Sequence, residues 1–522
     1  MEKKRRNNYF IKFFKNGKND NNPALTLRLL NKIEKIGNKL PHPATLFALL
    51  SLFTLVISTI IHKLGIEAIH PGTGVNIKII NLFSAEGFRF IFANATENYI
   101  KFPPLGIVIV AMIGIGVAEG SGLITAVLRH MVTAAPKRLI TASIVAAGIL
   151  SHLASSVGYV VLIPLGAMVF AAFKRHPIAG LAAAFCGVSA GFGANFVIGS
   201  IDPILAGLSE SAANIIKPGI KLTPAINLYF MIASAFMIIF IGTWITEKFV
   251  EPRLGEYEGD YEDFNRIEEH EKRGLIWAGI SLLVTISILS LMIVTENGIL
   301  RNPETGSILN SPFMDGLITA IFIIFFIPGL TYGIVVGTIK NDKDVINHMT
   351  ESMKNLASYL VLVFFAAQFV YIFNKSNLGV LIAIKGADLL KNLGFTGIGL
   401  IISFVLISSI VNLFMGSASA KWAIMAPIFV PMFMLLGYHP ALTQVAFRIG
   451  DSVTNVVTPM MSYFALIVAF AQKYDKNAGI GTIIATMLPY TIFLTIAWII
   501  LLTIWMTIGI PLGIDAPIQY LP

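Results

Sequence analysis

The segments Ser156-Val-Gly-Tyr159-Val-Val-Leu-Ile-Pro164-Leu-Gly-Ala-Met-Val-Phe170 and Ser419-Ala-Lys-Trp422-Ala-Ile-Met-Ala-Pro427-Ile-Phe-Val-Pro-Met-Phe433 lie 263 residues apart and align without a gap. Ser156 matches Ser419, Pro164 matches Pro427 and Phe170 matches Phe433. Further on, His176-Pro177 matches His439-Pro440. Tyr159 faces Trp422, one aromatic for another. Each segment is the second part of an apolar stretch, 139–173 and 396–437, with a small, polar middle. That middle holds Ser151, Ser155, Ser156 and Gly158 in the first, and Gly416, Ser417 and Ser419 in the second. Folded there, the first stretch has arms of about 16 residues, reaching about 24 Å at about 1.5 Å per residue. That is short of the ~30 Å hydrocarbon core of a bilayer. Both stretches therefore read as re-entrant helical hairpins. Non-helical backbone at that depth is tolerated only inside protein or along a wet cavity.

A broken span follows each hairpin, 178–213 and 440–471. Each carries an Asn in a Gly, Ser, Thr and Pro setting: Gly191-Phe-Gly-Ala-Asn195-Phe-Val-Ile-Gly199 and Gly450-Asp-Ser-Val-Thr-Asn455-Val-Val-Thr-Pro459. Hairpin plus broken span makes an internal repeat.

The surrounding chain fits a membrane. Of 522 residues, 55% are hydrophobic and 13% charged, and the mean hydropathy is +0.76. A soluble domain carries about 25% charged residues, so water is not the solvent for most of this surface. Disorder, collagen and coiled coil are excluded by the same figures, and a disulfide scaffold by the single cysteine, Cys186. The net charge of +9 could serve nucleic acid or anionic lipid. The basic residues lie between apolar runs, which favours lipid and no nucleic acid.

Further full-length spans are expected at 44–64, 104–130, 224–247, 274–296, 313–337, 356–374 and 480–510, making nine crossings with the two broken ones. The fold class is thus an all-α polytopic membrane protein of about nine transmembrane helices and two hairpins. Residues 1–43 carry eleven Lys/Arg and no apolar core of a cleavable signal. They read as a basic cytoplasmic tail with a short amphipathic helix over 25–40. With that tail inside, the inside segments (1–43, 129–138, 174–177, 248–273, 338–355, 472–479) hold 26 Lys/Arg and the outside segments 10. The bias orients the chain. Residues 44–250 form the first half, 251–273 an acidic cytoplasmic linker and 274–522 the second half. The first hairpin then starts and ends inside, and the second starts and ends outside. Inverted repeats with discontinuous helices are a signature of secondary transporters.

Ionisable residues within apolar segments are costly and usually functional. They are Asp202, Arg448, Asp451, Lys421 and Glu119. Arg448 and Asp451 are spaced i,i+3 and share a helix face. They read either as a structural ion pair, or as a guanidinium for a substrate carboxylate with Asp451 orienting it or taking part in coupling. Asp202, before Pro203, is either a helix cap or a proton or cation site. Glu119 and Lys421 read as snorkelling or structural. Helix N-termini at the tips can hold anions, and freed carbonyls with Ser or Asn oxygens can hold Na⁺. Ser155, Ser156 and Asn195 in one repeat, and Ser417, Ser419 and Asn455 in the other, are the residues for either. A Na⁺ would sit near Ser156, Asn195, Ser419 and Asn455; each serine is equally readable as a local cap. Trp422 can stack on an aromatic ligand or simply pack. Gly114-Ile-Gly116-Val-Ala-Glu-Gly120 is better explained by close helix packing than as a dinucleotide loop. No P-loop, HExxH or CxxC occurs. No cofactor is expected, and transport would draw on a H⁺ or Na⁺ gradient.

Four stretches carry a resemblance: Asn31-Lys-Ile-Glu-Lys-Ile-Gly-Asn-Lys-Leu-Pro-His-Pro43, Phe102-Pro-Pro-Leu-Gly106, Gly114-Ile-Gly-Val-Ala-Glu-Gly-Ser-Gly122 and Gly199-Ser-Ile-Asp-Pro203. In these and over nearly its whole length the chain resembles the AbgT family of p-aminobenzoyl-glutamate transporters. The resemblance implies nine transmembrane helices, two hairpins and a homodimer in the inner membrane, each protomer with a transport core and a dimerisation framework. It implies movement of p-aminobenzoyl-glutamate, a small anionic aromatic substrate, with sulfonamide antimetabolite efflux in some members. The family's functional positions fall on Asp202, Ser419, Trp422, Pro440, Arg448, Asp451 and Pro459. Two other readings compete: a sodium-coupled dicarboxylate carrier of similar architecture, and a membrane-embedded hydrolase, for which no catalytic dyad or metal cluster is visible. A small dicarboxylate would have no need of Trp422 as a stacking partner.

Overall fold

A computed structural model of the chain describes residues 43–69, 74–153, 158–257, 268–295, 297–308, 311–459, 461 and 463–520. Residues 1–42 of the basic tail and 258–267 of the acidic linker lie outside the described residues. Helix dominates because a spanning segment must satisfy its own backbone groups in lipid. Among the described residues, eight helices are long and apolar enough to cross a membrane, or up to ten if two bent pairs are each one span.

The first half begins with α1 (Pro43–Lys63) and a small antiparallel ribbon of β1 (Glu67–Ile69) and β2 (Asn76–Lys78). α2 (Ala85–Ile100) and α3 (Pro103–Gly120) follow. Gly122, at φ +89°, then turns the chain into α4 (Leu123–Thr133). The stretch 104–130, expected as one span, is therefore two helices. The break is a left-handed turn that glycine adopts freely. The first hairpin comprises α5 (Ile140–Leu150), a tip with a 3-10 turn at Ser151–Leu153 and a π turn at Gly158–Leu162, and α6 (Ile163–Ala172). Next come α7 (Pro177–Ala190), an unwound segment 191–201, α8 (Asp202–Ala213) and the spanning helix α9 (Leu228–Ile245).

The second half runs through α10 (Glu269–Val294), α11 (Leu317–Val336), α12 (Asp342–Lys375) and α13 (Leu378–Asn392). α14 (Gly397–Asn412) and α15 (Ala418–Leu435) are the arms of the second hairpin. α16 (Pro440–Asn455), an unwound stretch 456–459 and α17 (Phe464–Gln472) follow, and α18 (Ile480–Ile508) ends the bundle.

The two hairpin units share construction details. His176 and His439 each cap the helix that follows: their Nδ1 atoms accept from Ile178 N at 3.3 Å and Ala441 N at 3.2 Å, with Pro in the first turn of each helix. Gly187 of α7 lies against the backbone of Val145, and Gly450 of α16 against Val405 and Ser408. Gly187 and Gly450, like Val145 and Ser408, stand 263 residues apart. In both units the first hairpin arm thus rests on a glycine of the broken helix.

α9 relates the two units in space. At its start, Asn227 Nδ2 donates to Ala441 O at 2.9 Å, just beyond the second hairpin. Past its end, Glu247 Oε1 accepts from Thr141 Oγ1 at 2.9 Å. Arg175 grips Glu251 through Nε (2.9 Å) and Nη2 (2.6 Å). Thr141 and Arg175 sit where the first hairpin begins and ends. The helical run from 227 to 247 covers about 30 Å, the thickness of a hydrocarbon core. The hairpins therefore open at opposite ends of a spanning helix, and the two broken helices meet between them.

Candidate functional site

The two broken helices hold each other through charges. Arg448, midway along α16, sends Nη1 to Asp202 Oδ1 at 2.5 Å. Its Nε and Nη2 donate to Phe192 O at 3.0 and 2.7 Å. Asp202, in the first turn of α8, also accepts from Gly199 N at 2.5 Å through Oδ2, closing the unwound loop on itself. Arg448 and Asp202 are each 1% exposed. Gly193 makes the approach feasible: a Cβ there would stand 2.7 Å from Ser452 Oγ and 3.2 Å from Arg448 O.

A second buried pair lies one turn along α16. Lys421 Nζ, on α15, meets Asp451 Oδ1 and Asn412 Oδ1. Asn455 Nδ2 donates to Asp451 Oδ2 at 2.9 Å. Asn412 Nδ2 reaches Asp451 O, Thr454 Oγ1 and Asn455 Oδ1 at 2.8 to 2.9 Å. These contacts correct one sequence reading, the pairing of Arg448, and select the structural alternative for Lys421. Arg448 is paired not with Asp451 on its own helix but with Asp202 of the other repeat. Lys421 does not snorkel; it is 1% exposed and is the counter-ion of Asp451. The spacing rule sees one helix face, whereas the partners arrive from neighbouring helices.

The other expected residues are placed as follows. Asn195 is buried in the first unwound segment, its Oδ1 accepting from Phe196 N at 2.9 Å. Ser417 caps α15, accepting from Ala420 N at 3.4 Å, and Ser419 Oγ lies 3.4 Å from Ser417 Oγ. Trp422 is fully buried: its ring stacks on Phe447 at 4.6 Å, and Nε1 donates to Ser209 Oγ at 2.9 Å. Packing is thus what Trp422 does here. Pro440 starts α16, Asn455 ends it, and Pro459 is half-buried in the second unwound segment. Glu119 is half-buried near the end of α3, where Gly116 and Gly120 press on Ser352 and His348. Ser155 and Ser156 lie outside the described residues.

Sequence reasoning missed three contributors. Asn412 organises the Lys421–Asp451 pair. His152, at the first tip, meets Val188 O through Nε2, and its carbonyl accepts from Ser200 N at 3.5 Å. A polar string runs Trp422 to Ser209, Ser209 Oγ to Gln444 Oε1 at 2.6 Å and Gln444 Nε2 to Asn227 Oδ1 at 2.7 Å. Gln444 and Asn412 could have been flagged as polar residues in apolar helices; nothing marked Ser209.

The architecture is two broken helices joined by a buried guanidinium, and the sequence profile of the AbgT transporter family matches residues 28–520. The chain belongs to the AbgT family. Among its AbgT relatives, the p-aminobenzoyl-glutamate transport protein of Escherichia coli is 38% identical over 487 residues, covering 93% of this chain and 96% of the relative. The crystal structure of the YdaH transporter of Alcanivorax borkumensis, described as having an unusual topology, is 43% identical with a TM-score of 0.85 and covers 91% of this chain and all of the other. MtrF of Neisseria gonorrhoeae, described within a class of antimetabolite efflux pumps, is 47% identical with a TM-score of 0.88, covering 91% of this chain and 97% of MtrF. This AbgT protein is therefore a multi-span membrane protein of a transporter family.

Proposed function

We propose that this AbgT protein is an ion-coupled secondary transporter of p-aminobenzoyl-glutamate and related aromatic amino-acid conjugates, sulfonamide antimetabolites included, working by alternating access. It sits in the inner membrane as a homodimer with its N terminus in the cytoplasm. The cargo follows from the name of the Escherichia coli relative and the antimetabolite class of MtrF. The orientation follows from the Lys/Arg bias. The dimer rests on the family resemblance, and α10, with only Gly274, Ala278 and Thr285 buried along its length, has apolar surface for lipid or a partner copy.

One observation carries the mechanism: Arg448 of one repeat is held by Asp202 and Phe192 O of the other. A substrate carboxylate is a rival for the same guanidinium fork. Taking that place requires Asp202 to let go, and a proton or Na⁺ on Asp202 removes its claim on Arg448. Ion and substrate are thereby linked through one side chain. Because the ion frees the guanidinium that the substrate takes, this linkage is joint occupancy, the condition for symport. Breaking the Arg448–Asp202 bond also removes the ion pair between the two repeats, one of the contacts a change of exposure has to loosen.

The test is flux in proteoliposomes under separately imposed Na⁺ and pH gradients. The proposal expects p-aminobenzoyl-glutamate to move intact, one gradient to drive it, Arg448→Ala to abolish it, and Asp202→Asn to uncouple it. Flux indifferent to both gradients would overturn the coupling. Competition by succinate at substrate concentrations would favour a dicarboxylate carrier, and cleavage of the conjugate a hydrolase.

A further inference from the structure

The repeat gives each hairpin one aromatic at the same place, Trp422 in the second and Tyr159 in the first. Each meets the distal part of the other repeat's broken helix. Trp422 is fastened there: its indole N–H bonds Ser209 of α8, its ring is covered by Phe447, and none of it is exposed. Tyr159 instead forms an offset parallel stack with Tyr463, the residue just before α17, with centroids 4.9 Å apart and planes 8° from parallel. An offset stack presents ring faces, the arrangement an aryl ligand can share. Among the described residues one other pair lies nearly as flat, Phe322–Phe326 at 11°, and that is a contact one turn apart on a single helix.

Both tyrosines stand where regular α-helix is interrupted. Tyr159 stands in the π turn of the first tip, and Tyr463 in the turn that leads into α17. Behind them Phe185 of α7 sets its edge against both Tyr159 and Phe464, each at 6.4 Å, giving a fixed apolar wall. Asp451 lies within electrostatic range of Tyr159, so the pair borders the charged centre.

We propose that Tyr159 and Tyr463 form the clamp for the substrate's aryl ring. Stacked, they close the seam between the repeats. Parted to about 7 Å, they take one ring between them at the usual ~3.5 Å contact on each face. The glutamate carboxylates then reach toward Arg448. The role considered for Trp422 passes to these two residues. The inference rests on the reading that the cargo is an aryl conjugate.

The test uses the full chain in proteoliposomes. It measures KM for p-aminobenzoyl-glutamate and Ki for N-acetyl-glutamate, which has the tail without the ring. Tyr159→Leu and Tyr463→Leu each raise the aryl KM by roughly three- to tenfold and leave the acetyl Ki unchanged, while Tyr159→Phe and Tyr463→Phe keep both. An unchanged aryl KM, or KM and Ki rising together, overturns the clamp. A measurement on the wild type needs no variant to fold: benzoyl-glutamate must compete better than its cyclohexanecarbonyl counterpart, which has similar bulk and no ring faces. Equal competition overturns the clamp. Absence of any wild-type flux of p-aminobenzoyl-glutamate would instead sink the cargo reading, and the clamp with it.

Discussion

Lys421 and Asp451 are each 1% exposed and answer each other across α15 and α16. Removing one partner of such a pair leaves a buried charge unmatched, which costs about 3–5 kcal/mol, whereas replacing both partners is often close to neutral. Lys421→Ala should therefore lower the Tm of the detergent-solubilised protein sharply. The double change Lys421→Met with Asp451→Asn should regain most of the loss, because an amide at 451 still suits Asn455 and Asn412. A double variant no more stable than Lys421→Ala would show that the pairing is not what matters. At this scale the sequence was readable in part. The expense of burying charge was enough to single out Asp202, Arg448, Asp451 and Lys421. Their pairing was not, because i,i+3 spacing speaks for one helix while Asp202 and Lys421 come from two others.

Helix contacts follow the glycines. A methyl on Gly187 would come within 2.4 Å of Val145 O, and one on Gly450 within 2.5 Å of Val405 O. Overpacking of that kind costs about 1–3 kcal/mol. Gly187→Ala and Gly450→Ala should lower Tm comparably, since the two positions are counterparts. Gly279→Ala on α10, where a methyl would meet nothing within 4 Å, should not. Equal Tm values for all three would remove the close packing of hairpin on broken helix. The hairpins and broken helices were legible because their arms are short and their middles polar. α2 and α13 were not, since Glu86, Arg89 and Glu97 in one, and Lys385, Asp388 and Lys391 in the other, dilute the apolar signal. The turn at Gly122 was hidden because its only mark is a positive φ.

For the whole molecule, the ends of α9 touch the mouths of the two hairpins, Thr141 and Arg175 at one end and Ala441 at the other. The alternating exposure proposed above draws on that opposition, with one folded-back element entering from each face. The apolar stretches and the Lys/Arg bias already implied it, while the meeting of the two broken helices at Arg448 depends on tertiary packing that no local pattern encodes. The most direct measurement is cysteine labelling from each side of the membrane. With Cys186, the chain's one cysteine, replaced by Ala, Arg138→Cys reports the mouth of the first hairpin and Thr396→Cys that of the second. Both positions are exposed. A membrane-impermeant maleimide should label Arg138→Cys only in inside-out vesicles and Thr396→Cys only in right-side-out ones. Labelling of both from the same face would contradict the account.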